Sequence, residues 1–237
     1  MKTTLLVPTL NEIAGMKTVM PRVDPGWVDE ILVLDGGSTD GTAEWALARG
    51  FRVHVQSEPG LRHAYREAWP LIRGDVVVTF SPDGNSIPSL IPQLIQKMRE
   101  GFDMVIASRY KDGAKSFDDD ALTALGNRLF TAGINLFHRG RYTDAMVIFR
   151  AYRKDLVLKL GLDRDEPYAL FERMFRTRVS WEPLLSIRAA RAGLKIAEIP
   201  GDEPPRIGGV RKLQVFRWGA VFALQVLANV AWRPSMR

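Results

Sequence analysis

Apolar and polar positions alternate in blocks along the first half of the chain. Residues 3–7 form a short β-rich apolar run that breaks at Pro8, and helical spacing follows over residues 12–20. A second apolar run at 30–34 ends in Asp35-Gly36-Gly37-Ser38. Residues 39–49 then read as a helix that Ser38 or Thr39 is placed to cap, with Asp40 in its first turn. A third strand is expected over 51–56 and a helix over 62–73. Residues 75–80 (DVVVTF) form an unbroken apolar strand of the kind buried on both faces of a parallel sheet. A helix over 88–100 and a strand over 104–107 continue the alternation. The pattern predicts an α/β fold with a mostly parallel sheet wound by right-handed crossovers and flanked by helices.

The second half changes character. A long helical stretch covers 122–137, and 142–152 reads as a loop leading into a strand. A helix over 182–193, a strand over 195–199 and a Pro/Gly-rich loop over 200–210 follow. Residues 213–232 are largely apolar, interrupted by Gln214, Arg217, Gln225 and Asn229. The expected organisation is one domain over 1–212 with a C-terminal apolar and basic helical extension over 213–237. A membrane-spanning helix needs about 20 predominantly apolar residues. The stretch 218–232 is shorter, begins and ends in Trp, and is flanked by Arg217 and Arg233. It reads either as a helix lying in a membrane interface or as one packed on the main domain or in a homodimer.

Composition narrows the chemistry. With 46% hydrophobic and 25% charged residues, the chain is that of a folded protein rather than a disordered one. The absence of cysteine excludes disulfides, thiolate metal sites and cysteine nucleophiles, and three histidines do not make a histidine cage. His54, His63 and His138 are read as structural or solvent-facing. The net charge of +6 gathers at 139–153 and 206–217, without an aromatic-interleaved RNA motif or a helix-turn-helix signal. No nucleic-acid partner is therefore expected. The opening MKTTLLVPTLNE is unlike a signal peptide, so the expected location is cytoplasmic, with peripheral attachment to the inner face of a membrane if the C-terminal helix lies there.

In open α/β sheets ligands bind outside the carboxyl ends of the strands. Polar clusters stand at four such ends: 8–12, 35–40, 81–85 and 108–110. A carboxylate at a strand end, as at Asp35, can accept hydrogen bonds from a base or ribose, although the segment also suits a plain Asx-type turn. Asp83 and Asn85, at alternate positions, offer hard oxygens to Mg²⁺ or Mn²⁺ bridging a diphosphate, and equally suit a β-turn.

Together these segments resemble the family-2 glycosyltransferases with the GT-A fold, especially the polyprenyl-phosphate sugar synthases, from Val7 to about Leu213. Val7-Pro8-Thr9-Leu10-Asn11-Glu12 is similar to the opening motif, and the resemblance implies that Pro8, Leu10, Asn11 and Glu12 line the nucleotide pocket. Asp35 and Asp40, with Gly37 between them, match the acidic second motif, which implies Asp35 at base and ribose. Gly60-Leu61-Arg62-His63-Ala64 is similar to a glycine-led segment that puts Arg62 near the nucleotide. Ser81-Pro82-Asp83 stands in the place of the DxD motif, and Asn85 where the lipid-linked branch often has Gln. Ala107-Ser108-Arg109-Tyr110, Thr143-Asp144 and Phe149-Arg150 also match. Glu198-Ile199-Pro200, Arg206, Gly209 and Lys212-Leu213 resemble an ending implied to wrap phosphates, so Ser108, Arg206, Arg211 and Lys212 are the expected phosphate and acceptor contacts.

Three departures stand out. Ser81 replaces the first carboxylate of the DxD, which weakens the expected metal site. Val147-Ile148 replaces Ser-Gly and narrows the acceptor region, and Arg211 replaces a Ser in the ending. What the resemblance implies is inverting transfer of a hexose-type sugar from a GDP- or UDP-linked donor to a polyprenyl phosphate or other lipid-linked acceptor. A phosphate acceptor is already anionic and needs no base. A soluble or glycan hydroxyl needs one, for which Asp144 and Glu182 are the candidates. Glu182 also reads as an ordinary first-turn residue, and Arg109 either meets the acceptor or pairs with a carboxylate such as Asp112. A nucleotide-sugar-binding pseudo-enzyme is the reading in which the departures have cost activity.

Overall fold

A computed structural model describes residues 1–208 and 214–234 of the chain. Within them seven strands form one sheet: β1 (Thr3–Thr9), β2 (Glu30–Asp35), β3 (Arg52–Val55), β4 (Val76–Thr79), β5 (Met104–Ser108), β6 (Arg150–Arg153) and β7 (Ile196–Pro200). Their spatial order is β3-β2-β1-β4-β6-β5-β7. All neighbours are parallel except β6, which runs antiparallel to both β4 and β5. This is the mixed, mostly parallel sheet that the pattern predicts. The chain steps outward from β1 to β3 and then returns to place β4 on the other side of β1, so a switch point opens above β1 and β4.

The strands alternate between two cores, as the two-residue period requires. Leu6, Leu32, Leu34, Val77 and Ile106 face one core, while Leu5, Val7, Val33, Val78 and Val105 face the other. The second core is covered by α1 (Ile13–Val19), α2 (Thr42–Ala48) and α4 (Ile91–Arg99). The first is covered by α3 (Leu61–Ala68), α5 (Ala121–His138), α6 (Leu156–Lys159), α7 (Glu166–Phe175), α8 (Glu182–Arg191) and α9 (Val215–Ala228). Its centre is aromatic: Tyr65 stacks on Trp181 at 4.7 Å, and Trp69 meets Trp181 edge-on at 5.0 Å.

Two boundaries and one helix differ from the sequence expectation. The second helix begins at Thr42, not residue 39, and neither Ser38 nor Thr39 caps it. Gly41 stands at its head with φ 89°, and Asp40 accepts from the Thr42 amide (3.0 Å) in an Asx-type turn. The helix expected over 62–73 ends at Ala68, because Pro70 forces a 3₁₀ turn. Helix α7 was not expected at all. Within α7 only Tyr168 is buried, while Leu170 and Met174 are exposed, so its apolar residues do not map onto one buried face.

The C-terminal stretch forms α9 and packs with α5, α7 and α8. Val221, Phe222 and Val226 enter the core, and Phe222 meets Phe130 edge-on at 6.0 Å. Polar contacts tie it down as well. The Trp218 indole donates to Thr177 Oγ1 (2.9 Å), Arg188 Nε donates to Asn229 Oδ1 (3.0 Å), and fully buried His138 bonds the Val226 carbonyl (2.8 Å). Among the described residues no helix is long and apolar enough to cross a membrane.

Candidate functional site

A cavity of about 1030 Å³ opens above the switch point. The β1 end supplies Pro8, Thr9, Leu10 and Glu12 to it, and the turn after β4 supplies Ser81, Asp83 and Asn85. That turn is seated closely on α1: a Cβ at Gly15 would collide with the Pro82 carbonyl. Helix α7 and the residues after it form the opposite wall with Glu172, Arg173, Arg176 and Arg178. A smaller chamber of about 200 Å³ adjoins it, sharing Ser81, Asp83, Asn85, Ile148, Glu203 and Arg206.

Two loops are stitched together at the rim. Asn11, at φ 53°, donates its amide to Ser38 Oγ (2.8 Å) and accepts from the Thr39 amide (2.8 Å). Asp40 accepts from the Ile13 amide (3.1 Å) and from Thr42. Burial raises the Asp40 pKa, but the Thr42 and Ile13 hydrogen bonds outweigh it and hold the carboxyl below its ordinary value. Asp35 is buried and accepts from the Gly37 and Ser38 amides (3.0 and 2.7 Å), Ser38 Oγ (2.6 Å) and Thr9 Oγ1 (3.0 Å). Of the expected nucleotide contacts, Pro8, Leu10, Glu12, Arg62, Ser81 and Asp83 line the cavity. Asn11, Asp35, Gly37 and Asp40 instead hold the loops that shape its rim.

Arg62 lies at the foot of α3, following Gly60 at φ 118°. Its guanidinium bonds Asp165 (2.6 Å) and Glu172 (2.9 Å) and stacks over Tyr168 at 4.3 Å. It therefore fastens α7 to α3 as well as lining the cavity.

At the junction of the two chambers Asp83 accepts from the Asn85 amide (3.1 Å) and from Arg206 Nη1 (2.5 Å). Arg206 also approaches Asp118 (3.7 Å), to which Asn85 Nδ2 donates (3.0 Å). Asn85 Oδ1 is buried without a hydrogen-bond partner among the described residues. The Asp83 carboxylate and this orphaned oxygen are hard donors that suit Mg²⁺ or Mn²⁺. Among the described residues no three acidic or histidine side chains gather as a metal cluster. A divalent ion here would therefore take most of its ligands from phosphate and water. Arg206 already supplies a positive charge at that position.

Arg109, at the β5 end, forms a bidentate pair with Asp144 (Nε–Oδ2 2.6 Å, Nη2–Oδ1 3.0 Å) and reaches Glu203 (3.3 Å) and Asp119 (3.5 Å). Its partners are these carboxylates rather than Asp112, which pairs with Lys111. Burial opposes both charges of the Arg109–Asp144 pair. The pairing prevails, raising the Arg109 pKa and lowering that of Asp144. A carboxylate so held is a poor base, and Asp144 lines neither chamber. Glu182 lines neither as well: it is buried under the aromatic cluster, accepting from the Tyr65 hydroxyl at 2.8 Å. Ser108 is buried in a chain that runs through Thr143 to Glu198. Arg206 faces both chambers, whereas Arg211 and Lys212 lie outside the described residues.

The sequence reading missed Asp118, Glu203 and the arginines of α7 and its exit. The acidic run Asp118-Asp119-Asp120 was a visible signal for the first. Glu203 had none, since it sits in a Pro/Gly-rich loop that its neighbours position.

Residues 4–161 match the model of Glycosyl transferase family 2. An undecaprenyl-phosphate mannosyltransferase of Micrococcus luteus is 30% identical, over 92% of this chain and 94% of that protein. A polyprenol monophosphomannose synthase of Mycolicibacterium smegmatis is also 30% identical, over 90% of this chain and 81% of its own. Among solved structures, glucosyl-3-phosphoglycerate synthase from Mycobacterium tuberculosis, in complex with Mn²⁺, UDP-glucose and phosphoglyceric acid, shares the fold. Its TM-score is 0.64 at 24% identity, covering 99% of this chain and 81% of that one. A GT-A sheet with the cavity at its switch point, the matched family model and relatives similar over nearly their whole length lead to one conclusion: the chain belongs to glycosyl transferase family 2 and is a glycosyltransferase.

Proposed function

We propose that the enzyme moves a hexose, with inversion, from a nucleoside diphosphate sugar to a polyprenyl phosphate. The observation that carries this reading is the Asp83–Arg206 pair at the junction of two connected chambers. The nucleotide fits the large chamber between the β1 end and Arg62, and its diphosphate the junction. There Arg206 faces the charge that develops as the bond from the anomeric carbon to the diphosphate oxygen breaks. Asp83 and Asn85 would hold a Mg²⁺ or Mn²⁺ ion that neutralises the same leaving group. The acceptor oxygen attacks the opposite face of the anomeric carbon.

A phosphate acceptor is favoured because neither expected base is available: Asp144 is committed to Arg109, and Glu182 is buried away from both chambers. The wall bearing Arg173, Arg176 and Arg178 suits an acceptor phosphate. Beside it Leu170, Met174 and Phe216 are exposed, a rim on which a polyprenyl chain can rest and by which the enzyme can meet a membrane surface. The M. luteus and M. smegmatis relatives, by their names, act on polyprenyl phosphates.

Thermal shifts with UDP, GDP, UDP-glucose and GDP-mannose, with and without Mn²⁺, test the donor site. A ligand at a hundredfold excess over Kd stabilises the folded state by about 2.7 kcal/mol. Transfer to farnesyl phosphate, but not to farnesol, then tests the acceptor. Absence of a shift from every nucleotide, or equal transfer to farnesol, would overturn the corresponding half of the reading.

A further inference from the structure

We propose that Glu203, in the small chamber beside Asp83 and Arg206, selects the donor's sugar by accepting a hydrogen bond from one of its hydroxyls at Oε1. The inference rests on the donor-site reading above and adds a residue to it.

The chamber shares Ser81, Asp83, Asn85 and Arg206 with the large cavity, so a group attached to a diphosphate at Asp83–Arg206 and pointing away from the nucleotide enters it. Its volume of about 200 Å³ equals about seven waters of liquid, enough for one sugar ring and too little for a nucleoside. Its lining has two characters. Ser86, Arg109, Asp202 and Glu203 are polar, while Met146, Ile148 and Phe149 are apolar. A pyranose has the same two characters, a hydroxyl edge and a C–H face.

Glu203 is held for this task from both backbone and side chain. Its amide donates to the Lys115 carbonyl (2.9 Å), and its own carbonyl accepts from the Phe117 amide (2.8 Å). Ser116 Oγ and Arg109 Nη1 both bind Oε2, and Arg109 is itself fixed by Asp144. Oε1 accepts no hydrogen bond among the described residues. Of the other two carboxylates in the chamber's lining, Asp83 is engaged by Arg206, and Asp202 is exposed and accepts from the Lys115 amide. Burial raises the Glu203 pKa despite the nearby guanidinium. An acceptor placed this way discriminates between sugars, because a bound sugar that covers it without offering the matching hydroxyl displaces its water and leaves it unpaired.

Titration calorimetry of the full chain with Mn²⁺ tests this, using UDP, GDP, UDP-glucose, UDP-galactose and GDP-mannose. Glu203→Gln preserves shape and removes the anionic acceptor. The variant should bind the bare nucleotide within about twofold of wild type but lose about tenfold for the sugar conjugate, equivalent to about 1.4 kcal/mol. Its preference among hexoses should narrow too. Ser116→Ala, which frees the carboxylate without removing it, should show a smaller loss confined to the sugar conjugate. Parallel loss of nucleotide and conjugate in both variants, or no loss in either, would overturn the assignment of Glu203. Wild-type protein that bound neither UDP nor GDP would instead refute the donor site itself, and the role of Glu203 with it.

Discussion

Two arginines with opposite duties define the site at the scale of single residues. Arg109 is spent on its carboxylates, and Asp144→Asn should therefore act first on stability. It leaves a buried guanidinium with half its bidentate partner, and unfolding in urea should show a loss of about 3 kcal/mol. An unchanged midpoint would return Asp144 to the pool of candidate bases. Arg206 is positioned to act on a ligand. Arg206→Gln should lower kcat/KM about a hundredfold, the usual effect of removing one charge-stabilising donor. The same change should strengthen Mn²⁺ binding to the nucleotide-free protein, because it uncovers the Asp83 carboxylate. Weaker Mn²⁺ binding, read by electron paramagnetic resonance, would contradict this. Asp83, Arg109 and Arg206 were all legible in the sequence as residue types at strand ends and in a basic loop. Their pairing was not, because Arg109–Asp144 and Asp83–Arg206 join segments apart in the chain, and spacing carries no record of such contacts.

Most of the secondary elements were legible, since runs such as 75–80 must be buried on both faces and have few alternatives. Helix α7 escaped because it is held by contacts outside itself, among them its packing on α9 and the clamp of Arg62 on Asp165 and Glu172. Arg62→Met should accordingly raise amide exchange in α7 far more than in β1 or β4, as followed by mass spectrometry. Uniform protection would show that α7 stands without the clamp. A comparable anchor lies on α3. Glu67 accepts from the Ser57 and Glu58 amides (2.8 and 3.1 Å), Ser57 Oγ (2.8 Å) and His54 (3.0 Å). Burial raises its pKa, yet these bonds bring it down from 4.5 to about 2. A depressed carboxyl stabilises the fold above its unfolded value and loses that effect as pH falls through the folded one. The stability deficit of Glu67→Gln should be about 1 to 2 kcal/mol at pH 7 and should shrink between pH 4.5 and 2. A deficit independent of pH would rule out the charge as its source.

At the scale of the whole molecule, α9 joins the core through its apolar side chains while leaving Phe216 and Leu227 exposed. On α5, Leu122, Leu125, Leu129 and Leu136 are exposed too. Arginines 128, 217 and 233 lie on the same segments, so association with vesicles should need both apolar and basic groups. Sedimentation with phosphatidylglycerol vesicles should carry down the wild type and release it on Phe216→Ser with Leu129→Ser. Equal sedimentation of the variant would locate the contact elsewhere. The sequence showed the apolar stretch but not its division into buried and exposed faces, which depends on where α5 and α7 lie. The antiparallel strand β6 bears on how such a molecule is made. During synthesis β1 to β4 emerge with their parallel partners available, whereas β5 is completed before β6, the strand that must seat it. Until β6 arrives, β4 presents a bare edge of apolar valines and β5 has no place in the sheet. A nascent chain stalled in α5 would then be a half-sheet with an adhesive margin, the form most prone to pair with a copy of itself.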